Sequence, residues 1–333
     1  MGQFFKNIRF RIEYIFMVGV CVFIRSLPYS FLRPLAELAG FCIFLIPSAR
    51  KTVRENINAA LPELPLRERR RIGRRSFWHL TMNLLEFIWT NNRPERIRRC
   101  YAMPDDLRER LQAHLARNER IIFVNPHLGS WEASGIVAPF YAGIKMAAIA
   151  KPMRNPYLNQ LLNADNREKT AGLEVIFSKG AVRAALQALA DGKSIGTLID
   201  QNTRGRDGGI FVDFFGLPVP SSTAPAVLKR RCDARGIPVV IMYGTTVRLD
   251  DGKCTAHTVY LSKPFESYAD DAEVIRELMA LSESFIRKYP EQYLWFYKRF
   301  QYIPPDCPQE LRKRYPAYAQ VVRAEFFKRS TRA

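Results

Sequence analysis

The sequence predicts an α/β fold, a mixed central sheet flanked by helices, with a helical N-terminal membrane-anchoring region in front of it. Two observations carry this prediction: short apolar runs alternate with helical stretches from Ile121 onward, and two apolar stretches precede residue 50. The simplest division is an anchor over residues 1–50, an α/β domain over 51–303 and a basic tail over 304–333. A chain of 333 residues is long enough to bury such a core.

The composition excludes several classes of protein. Hydrophobic residues make up 47% of the chain, which excludes a disordered chain, and 25% charged residues leave little room for many long membrane spans. Lys and Arg number 51 against 32 Asp and Glu, so the formal net charge is +19. This excess indicates an anionic partner, and charge alone leaves nucleic acid, an acidic lipid surface and an acidic carrier protein open.

The N-terminal apolar stretches are short. Tyr14–Ile24 contains eleven uncharged residues between Glu13 and Arg25, about 16 Å as a helix against a hydrocarbon core of about 30 Å. A second stretch, 38–49, follows Pro28. We expect an amphipathic or partly inserted anchor with basic residues on the cytoplasmic side; one tilted span and a buried hairpin of a soluble protein are the alternatives.

A dense basic run begins the next helical pattern. It consists of Arg67, Arg69, Arg70, Arg71, Arg74 and Arg75. Apolar residues at helical spacing follow it, from Phe77 to Ile88. The run is interpreted either as a strip that contacts lipid phosphates or as the solvated start of a helix.

The alternation after Ile121 gives the elements of the core. The predicted strands are 121–124, 147–150, 195–199 and 239–243. The predicted helices are 133–141, 155–167, 181–189, 224–235 and 270–289. The tail after Pro304 is expected to be partly helical.

Most of the residues that could bind metal or act as nucleophiles are scattered. No two of the six cysteines form a Cys-x-x-Cys motif, which argues against a disulfide framework or a zinc site and favours a reducing compartment. His79, His114 and His257 are interpreted as structural or exposed. No metal and no cofactor is therefore expected.

His127 lies in a different context, Asn125-Pro126-His127-Leu128-Gly129-Ser130-Trp131-Glu132. Asn-Pro ends a strand, Gly129 permits a sharp turn, and Ser130 suits the N-cap of the next helix. Such a turn could fold His127 back toward Glu132, whose carboxylate would fix the imidazole tautomer and free the other nitrogen to take a proton from a hydroxyl. The alternative is a loop histidine beside a helix cap. Since no Gly-x-Ser-x-Gly elbow is present, direct attack by a substrate hydroxyl is favoured over a covalent intermediate.

The motif HLGSWE, a histidine and a glutamate separated by four residues, resembles that of the bacterial lipid A biosynthesis (lauroyl/myristoyl) acyltransferase family, within the wider lysophospholipid/glycerolipid acyltransferases. Other stretches match the family in order over roughly residues 10–303: VRENINAALPEL (53–64), NADNREKTAGLEVI (163–176), IDQN (199–202), VDFFGLPVPSSTAP (212–225) and PEQYLWFYKRF (290–300). The chain departs from well-known members at Asp200-Gln201-Asn202, where they carry an Asp-His-Asp type sequence. The Glu-Gly-Thr element of the glycerol-phosphate enzymes is also missing from the sequence.

The resemblance implies a membrane-bound O-acyltransferase that moves a fatty acyl chain from acyl-carrier protein to a hydroxyl of a lipid A precursor. It places the enzyme at the bacterial cytoplasmic (inner) membrane with its active site facing the cytoplasm. His127 would be the general base and Glu132 its orienting partner. The donor protein of this family is acidic, which agrees with the charge of +19.

Five further residues are candidates for substrate binding. Arg167 would steady an oxyanion or a phosphate, and Asp200, Arg154, Ser130 and Gln201 would contact the substrate or shape its pocket. The plain alternatives are a surface charge for Arg167, a turn-capping carboxylate for Asp200 and a solvated loop arginine for Arg154.

Other functions stay open at this point. The acceptor could be another glycolipid or lysolipid, such as a phosphoinositide mannoside, an ornithine lipid or a lysophospholipid. A non-catalytic protein that binds anionic lipid or nucleic acid is a distant alternative, since no nucleic-acid module is recognisable and no nucleic-acid partner is expected. Phe214, Phe215 and Leu217 could line an acyl channel or belong to the core.

Overall fold

The computed structural model describes residues 2–177 and 180–328, except for the side chains of residues 2–3 and 164–166. The α-helices are α1 (Gly2–Ser26), α2 (Leu32–Phe44), α3 (Pro47–Ala60), α4 (Leu66–Thr90), α5 (Pro94–Cys100), α6 (Asp105–Ala116), α7 (Trp131–Ala142), α8 (Pro156–Leu162), α9 (Lys169–Ala171), α10 (Ala181–Ala190), α11 (Ala224–Asp233), α12 (Asp271–Lys288) and α13 (Gln309–Arg312). The strands are β1 (Tyr101–Ala102), β2 (Arg120–Asn125), β3 (Met146–Ala150), β4 (Glu174–Phe177), β5 (Ser194–Leu198), β6 (Gly209–Phe214), β7 (Leu217–Ser222), β8 (Val239–Arg248), β9 (Cys254–Tyr260), β10 (Tyr302–Ile303) and β11 (Gln320–Val321).

A mixed sheet forms the centre of the molecule, in the order β1-β9-β8-β2-β5-β3-β4. Strands β8, β2, β5, β3 and β4 are parallel, and β9 runs antiparallel to β8. The predicted α/β class with a mixed sheet is confirmed. Helices cover both faces, because the parallel strands are connected through helices that must pack on the sheet.

Strand β2 shows how the two faces are filled. Ile121 and Phe123 belong to one hydrophobic cluster, with Ile136 of α7, whereas Ile122 and Val124 belong to the other, with Leu228 of α11. Successive side chains of a strand point to opposite faces, so β2 contributes to both cores. Helix α7 therefore lies on one face of the sheet and α11 on the other.

The connections of β2 and β5 leave in opposite directions. Strand β2 leads through α7 to β3, beyond β5, and β5 leads through the β6–β7 hairpin and α11 to β8, beyond β2. Two adjacent parallel strands whose connections diverge create a crevice at their carboxyl ends, which is where open α/β sheets bind ligands. The sheet topology alone therefore directs attention to the residues that follow β2 and β5.

The N-terminal helices form a bent pair. No single described helix has the length and hydropathy to cross a bilayer, but Phe4–Ser26 and Tyr29–Phe44, with a bend of 119° between them, reach that length and hydropathy when taken together. The inner side of the pair packs on α4, where the Trp89 indole donates to the Leu27 carbonyl at 2.8 Å. Its outer side exposes large apolar residues, among them Ile15, Phe16, Val22, Phe23, Leu38, Phe41 and Leu45.

The predicted strands and most predicted helices are present at nearly the expected positions. The helix expected over 155–167 is different: α8 ends at Leu162, and Asn163–Glu168 form a wider π-helical turn. The β6–β7 hairpin was not predicted. It turns at Phe215 and Gly216, which both have positive φ, and a non-glycine residue in that conformation is an uncommon turn signal.

The tail is tied to the body of the protein as far as residue 328. Strand β11 pairs with β10, and Tyr315 is buried in the same cluster as α12. The Tyr318 hydroxyl donates to the Asn56 side chain of α3. These contacts join residues 304–328 to the sheet-containing part of the chain.

Candidate active site

His127 and Asp200 meet at the crevice between β2 and β5. Asn125 and Leu198 are register partners, and the Ile199 amide donates to the Asn125 carbonyl at 3.0 Å. The residues that follow each strand therefore emerge side by side. Both side chains are buried, with 6% of His127 and 2% of Asp200 exposed.

Asp200 holds His127 by two hydrogen bonds. One carboxylate oxygen accepts from the His127 backbone amide at 2.9 Å, and the other lies 2.7 Å from imidazole Nδ1. A carboxylate at Nδ1 places the proton of the neutral ring on that nitrogen and leaves Nε2 as an acceptor. Burial by itself would raise the pKa of Asp200, but the imidazole and the amide of His127 hold that pKa below its ordinary value, so the carboxylate stays charged.

Gln201 occupies the other side of the ring. Its Nε2 lies 3.1 Å from Nε2 of His127, and an amide nitrogen beside an acceptor nitrogen donates to it. Gln201 is exposed, so its side chain can be displaced by a hydroxyl group that approaches the same nitrogen. The predicted candidate Gln201 therefore lies where the reacting group of an alcohol would bind.

The backbone of the loop that carries His127 is fully tied to its surroundings. The His127 carbonyl accepts from Leu294 at 3.0 Å, the Gly129 amide donates to Gln292 at 3.0 Å, and the Ser130 amide donates to Thr246 at 2.7 Å. These bonds fix the loop between β8 and the segment after α12. A rigid loop presents the imidazole in one orientation.

Asn83 of α4 adds a side-chain contact, because its amide donates to the Gly129 carbonyl at 2.7 Å. Sequence analysis missed both Asn83 and Gln292. For Asn83 a signal existed: a polar residue stands within the apolar helical pattern of Phe77 to Ile88, which implies a buried polar partner. Gln292 lies in the PEQYLWFYKRF stretch, but no periodicity distinguished it there.

The expected contact between Glu132 and His127 is corrected by the structure. Glu132 accepts two hydrogen bonds from Arg167, from Nη2 at 2.6 Å and from Nε at 2.8 Å, and Asp200 takes the place at Nδ1 that was expected for Glu132. The reason is that Glu132 lies in the first turn of α7, on the side of the π-helical turn that carries Arg167. The side chains of His127 and Glu132 thus have different partners among the described residues.

The Glu132–Arg167 pair is half-buried and bidentate, which fixes both side chains. Asn163 also accepts from Arg167, so the guanidinium is held from two sides. Burial by itself would lower the pKa of Arg167, but the Glu132 carboxylate raises it, and the group remains a cation. The pair places a fixed cation and a fixed anion next to the histidine loop.

The two remaining candidates differ in position. Ser130 is the N-cap residue of α7 and only 1% exposed, and its hydroxyl has no hydrogen-bond partner among the described residues. Arg154 is exposed in the loop before α8 and does not line the cavity described below. The structure therefore brings five of the seven predicted side chains into two separate groups, His127 with Asp200 and Gln201, and Glu132 with Arg167. It places Ser130 in the loop that carries His127 and leaves Arg154 outside.

An apolar cavity of about 120 Å³ begins beside these residues. Trp131, Glu132 and Arg167 line it at the carboxyl edge of the sheet, and Phe123 and Val137 line it deeper, between the sheet and α7. The Trp131 ring lies 5.5 Å from the His127 ring, between centroids. His127 itself does not line the cavity, but a mostly apolar space that begins at the neighbouring Trp131 ring suits an acyl chain.

The acyl channel considered for Phe214, Phe215 and Leu217 is not present there. The three side chains are at most 2% exposed and belong to the core on the α11 face, whereas the cavity lies on the α7 face. They belong to the β6–β7 hairpin, which packs against α12, where the Phe215 amide donates to Glu283.

The other histidines do not share the environment of His127. His79 is buried in α4, where burial and the nearby Arg248 and Arg75 lower its pKa to about 3. His114 contacts Glu119 and the Tyr260 hydroxyl. His257 lines the cavity, and burial lowers its pKa. No group of three His, Cys, Asp or Glu in the described part of the chain is arranged to hold a metal ion.

Comparison with known proteins decides the family. The profile for bacterial lipid A biosynthesis acyltransferases matches residues 1–302. The chain belongs to this family. It is an acyltransferase, and its membership supports acyl transfer to lipid A.

Characterised members of the lipid A acyltransferase family are similar over most of the chain. The lipid A biosynthesis palmitoleoyltransferase of Escherichia coli (strain K12) is 24% identical over 300 residues, 87% of this chain and 91% of that protein. The lauroyltransferase of the same organism is 24% identical over 302 residues, 87% and 92%. A lipid A biosynthesis acyltransferase of Haemophilus influenzae is 27% identical over 188 residues, 56% and 55%.

Proposed function

We propose that this acyltransferase moves a fatty acyl chain from the thioester of acyl-carrier protein to a hydroxyl of a lipid A precursor, with His127 as general base. The observation that carries the proposal is the buried Asp200 carboxylate, which lies 2.7 Å from Nδ1 of His127 and leaves Nε2 as the acceptor. Family membership supports the acyl transfer and the lipid acceptor.

The reaction follows from this geometry. The acceptor hydroxyl displaces Gln201 and gives its proton to Nε2 of His127 as its oxygen attacks the thioester carbonyl carbon. The imidazolium that forms is stabilised by Asp200. The C–S bond then breaks, and the imidazolium returns its proton to the departing thiolate. An ester and a free thiol result, so atoms and charge balance without a covalent enzyme intermediate.

The neighbouring side chains have supporting roles in the proposal. Glu132 fixes Arg167, whose fixed cation is suited to stabilise negative charge on the thioester oxygen or on a substrate phosphate. The buried Ser130 hydroxyl, which has no partner within the described part of the chain, is a second candidate donor for that oxygen. Arg154 is exposed in the loop before α8. It would contact only a part of the substrate that extends away from the reacting groups.

The apolar cavity is proposed to take the acyl chain. Its lining is mostly apolar, with a few polar side chains such as Thr246 and His257, and each methylene buried there is worth about 0.8 kcal/mol, so its depth selects the chain length. The anionic partners fit the charge of +19, because an acidic carrier protein is attracted to a basic surface. The bent pair of N-terminal helices supports a membrane location. We place the enzyme at the bacterial inner membrane with its site facing the cytoplasm, because the proposed donor, acyl-carrier protein, is found there.

The function is tested with purified full-length protein, acyl-carrier protein donors of several chain lengths and lipid A precursors as acceptors. We expect ester formation by the wild type and a loss of about 10²–10⁴-fold in kcat in His127→Ala, because the general base is removed. His114→Ala is the matched control, since His114 contacts Glu119 and Tyr260 instead.

Two results would contradict the proposed function. Unchanged transfer in His127→Ala overturns the proposed mechanism. If the lipids of a deletion strain show unchanged lipid A by mass spectrometry but lack another acylated glycolipid or lysolipid, the proposed acceptor is wrong.

The acyl cavity gives a separate prediction. Ala148 lines the cavity, so Ala148→Leu fills part of its space. We expect the preferred acyl chain of the donor to become shorter by about two or three methylenes. Each methylene that no longer fits loses a burial energy of about 0.8 kcal/mol. Ala181→Leu, at a half-buried alanine of α10 outside the cavity, should leave the preference unchanged. Competition between acyl-carrier protein donors of different length measures the effect, and the same profile in both variants would place the chain elsewhere.

A further inference from the structure

A groove between α3 and α4 lies on the face of the sheet opposite to the acyl cavity. Its volume is about 380 Å³, and its floor is apolar, with Val53, Ile57 and Phe77 from the cluster that contains α11. Its rim is basic and is formed by Arg50, Lys51, Arg54, Arg69, Arg70 and Arg74. We call this feature the α3–α4 groove.

The charges of the α3–α4 groove are poorly neutralised by the protein. None of its described lining residues is acidic, and the side chains of Arg54, Arg70 and Arg74 are exposed with no ion pair or hydrogen bond among the described residues. Lys51 is 3.9 Å from Glu55, whereas Arg69 donates to the neutral side chain of Asn58 at 2.7 Å and Arg50 lies over the Phe44 ring. Six cations around one small concavity repel each other, and an anion in the groove would relieve that repulsion.

An apolar concavity continues the groove toward the N-terminal helices. It measures about 480 Å³, shares Phe44, Arg74 and Phe77 with the α3–α4 groove, and is lined on its other side by Glu37, Gly40 and Phe41 of α2. Glu37 is paired with Arg33. Phe41 is 57% exposed. The two concavities form one trench that runs from the exposed apolar side of α2 to the basic rim.

We propose that this trench binds one anionic phospholipid, with its phosphate against Arg54, Arg70 and Arg74 and an acyl chain along Phe41 and Phe44. The proposal rests on the membrane location in the proposed function and adds a lipid site that shares no lining residue with the catalytic cavity. Arginines bind phosphate through their planar fork of donors.

The shape of the trench favours a lipid over an acidic protein. A protein that binds by charge needs basic residues on an accessible surface, and it gains nothing from a narrow apolar extension toward α2. A phospholipid uses both parts, because its phosphate and its chains are joined in one molecule. The exposed Leu38, Phe41 and Leu45 on α2 continue the apolar side toward the place where the bilayer would lie.

The test measures binding of the full-length protein to vesicles of phosphatidylcholine with and without phosphatidylglycerol. The groove variant is Arg54→Gln/Arg70→Gln/Arg74→Gln, and the control is Lys145→Gln/Arg231→Gln/Arg235→Gln, which removes the same charge at exposed residues outside the trench. A charge near a membrane surface is worth about fivefold in partitioning, so the groove variant should lose about a hundredfold of the preference for phosphatidylglycerol. The control should lose much less, and native mass spectrometry should detect one phosphatidylglycerol on the wild type and the control.

Each other outcome overturns the proposal. If both triple variants lose the preference equally, general surface charge explains it. If the groove variant keeps its vesicle preference and instead loses binding to acyl-carrier protein, the trench docks the donor protein. The wild type and His127→Ala should bind vesicles equally, so the result is independent of whether the proposed acyl transfer is correct.

Discussion

At the scale of single residues, the site depends on which carboxylate contacts the histidine. Asp200 is bonded to the ring and the backbone of His127, whereas Glu132 is bonded to Arg167. The two carboxylates therefore have separate tasks, one in the proton transfer and the other in holding a cation. The histidine and the glutamate of the His-x4-Glu motif thus belong to two different residue pairs and do not pair with each other.

This separation gives a prediction for the two carboxylates. In Asp200→Asn the imidazolium loses its charged partner, and we expect kcat to fall by about 10²–10⁴-fold with KM for the acceptor little changed. Glu132→Gln leaves the Asp200–His127 pair in place, so its loss should be smaller. Steady-state kinetics of both variants measure this, and a smaller loss in Asp200→Asn than in Glu132→Gln would contradict the assignment.

At the scale of elements, the loop between β2 and α7 decides whether His127 faces Asp200. Gly129 has a φ of +61°, and a Cβ atom there would lie 2.1 Å from the Thr246 carbonyl oxygen of β8. The close approach of the two backbones allows the Ser130 amide to donate to Thr246. A side chain at position 129 must therefore push the loop away from β8.

We expect Gly129→Ala to abolish most of the acyl-transfer activity. We also expect it to lower the free energy of unfolding by more than the strain of a positive φ alone, which costs about 1–2 kcal/mol. Gly143→Ala is the matched control: its φ is +70°, but a Cβ there meets nothing within 4 Å. The control should show the strain cost with normal activity. Unfolding midpoints and acyl-transfer rates compare the two, and equal behaviour would show that the contact with Thr246 is unimportant.

At the scale of the whole molecule, a buried polar network joins the N-terminal helices to the sheet. Arg248 of β8 forms a bidentate ion pair with Glu86 of α4, and the Tyr29 hydroxyl, between α1 and α2, donates to Glu86 at 2.8 Å. Arg248 also donates to Asn83 at 3.3 Å, the residue that holds the Gly129 carbonyl. The same network thus contacts both the bend of the proposed anchor, through Tyr29, and the catalytic loop, through Asn83.

Glu86→Gln should be strongly destabilising, by about 3–5 kcal/mol, because it leaves the guanidinium of Arg248 buried without its charged partner. The double variant Glu86→Leu/Arg248→Met should recover part of that loss, since both charges are removed. Glu37→Gln, in the exposed Arg33–Glu37 pair, should cost less than about 1 kcal/mol. Denaturant unfolding in detergent measures the three, and a loss in Glu86→Gln no larger than in Glu37→Gln would contradict the role of the network.

Local sequence patterns were enough to predict the class of fold, the main strands and helices and the position of His127 at the end of a strand. These features depend on local patterns, namely hydrophobic periodicity, Pro126, Gly129 and an N-cap serine, which act over a few neighbouring residues. The motif order also indicated the family, because it spans the chain and needs no knowledge of contacts.

Which side chains contact each other in the site depends on packing between segments that are distant in the sequence. His127 and Asp200 are 73 residues apart, and their contact exists because β2 and β5 are adjacent and in a register that ends both strands at the same edge. The π-helical turn that brings Arg167 to Glu132 and the buried Asn83 behind Gly129 depend likewise on packing between distant segments. Pairing across a sheet and contacts between layers are set by the fit of whole elements, and no local pattern encodes that fit.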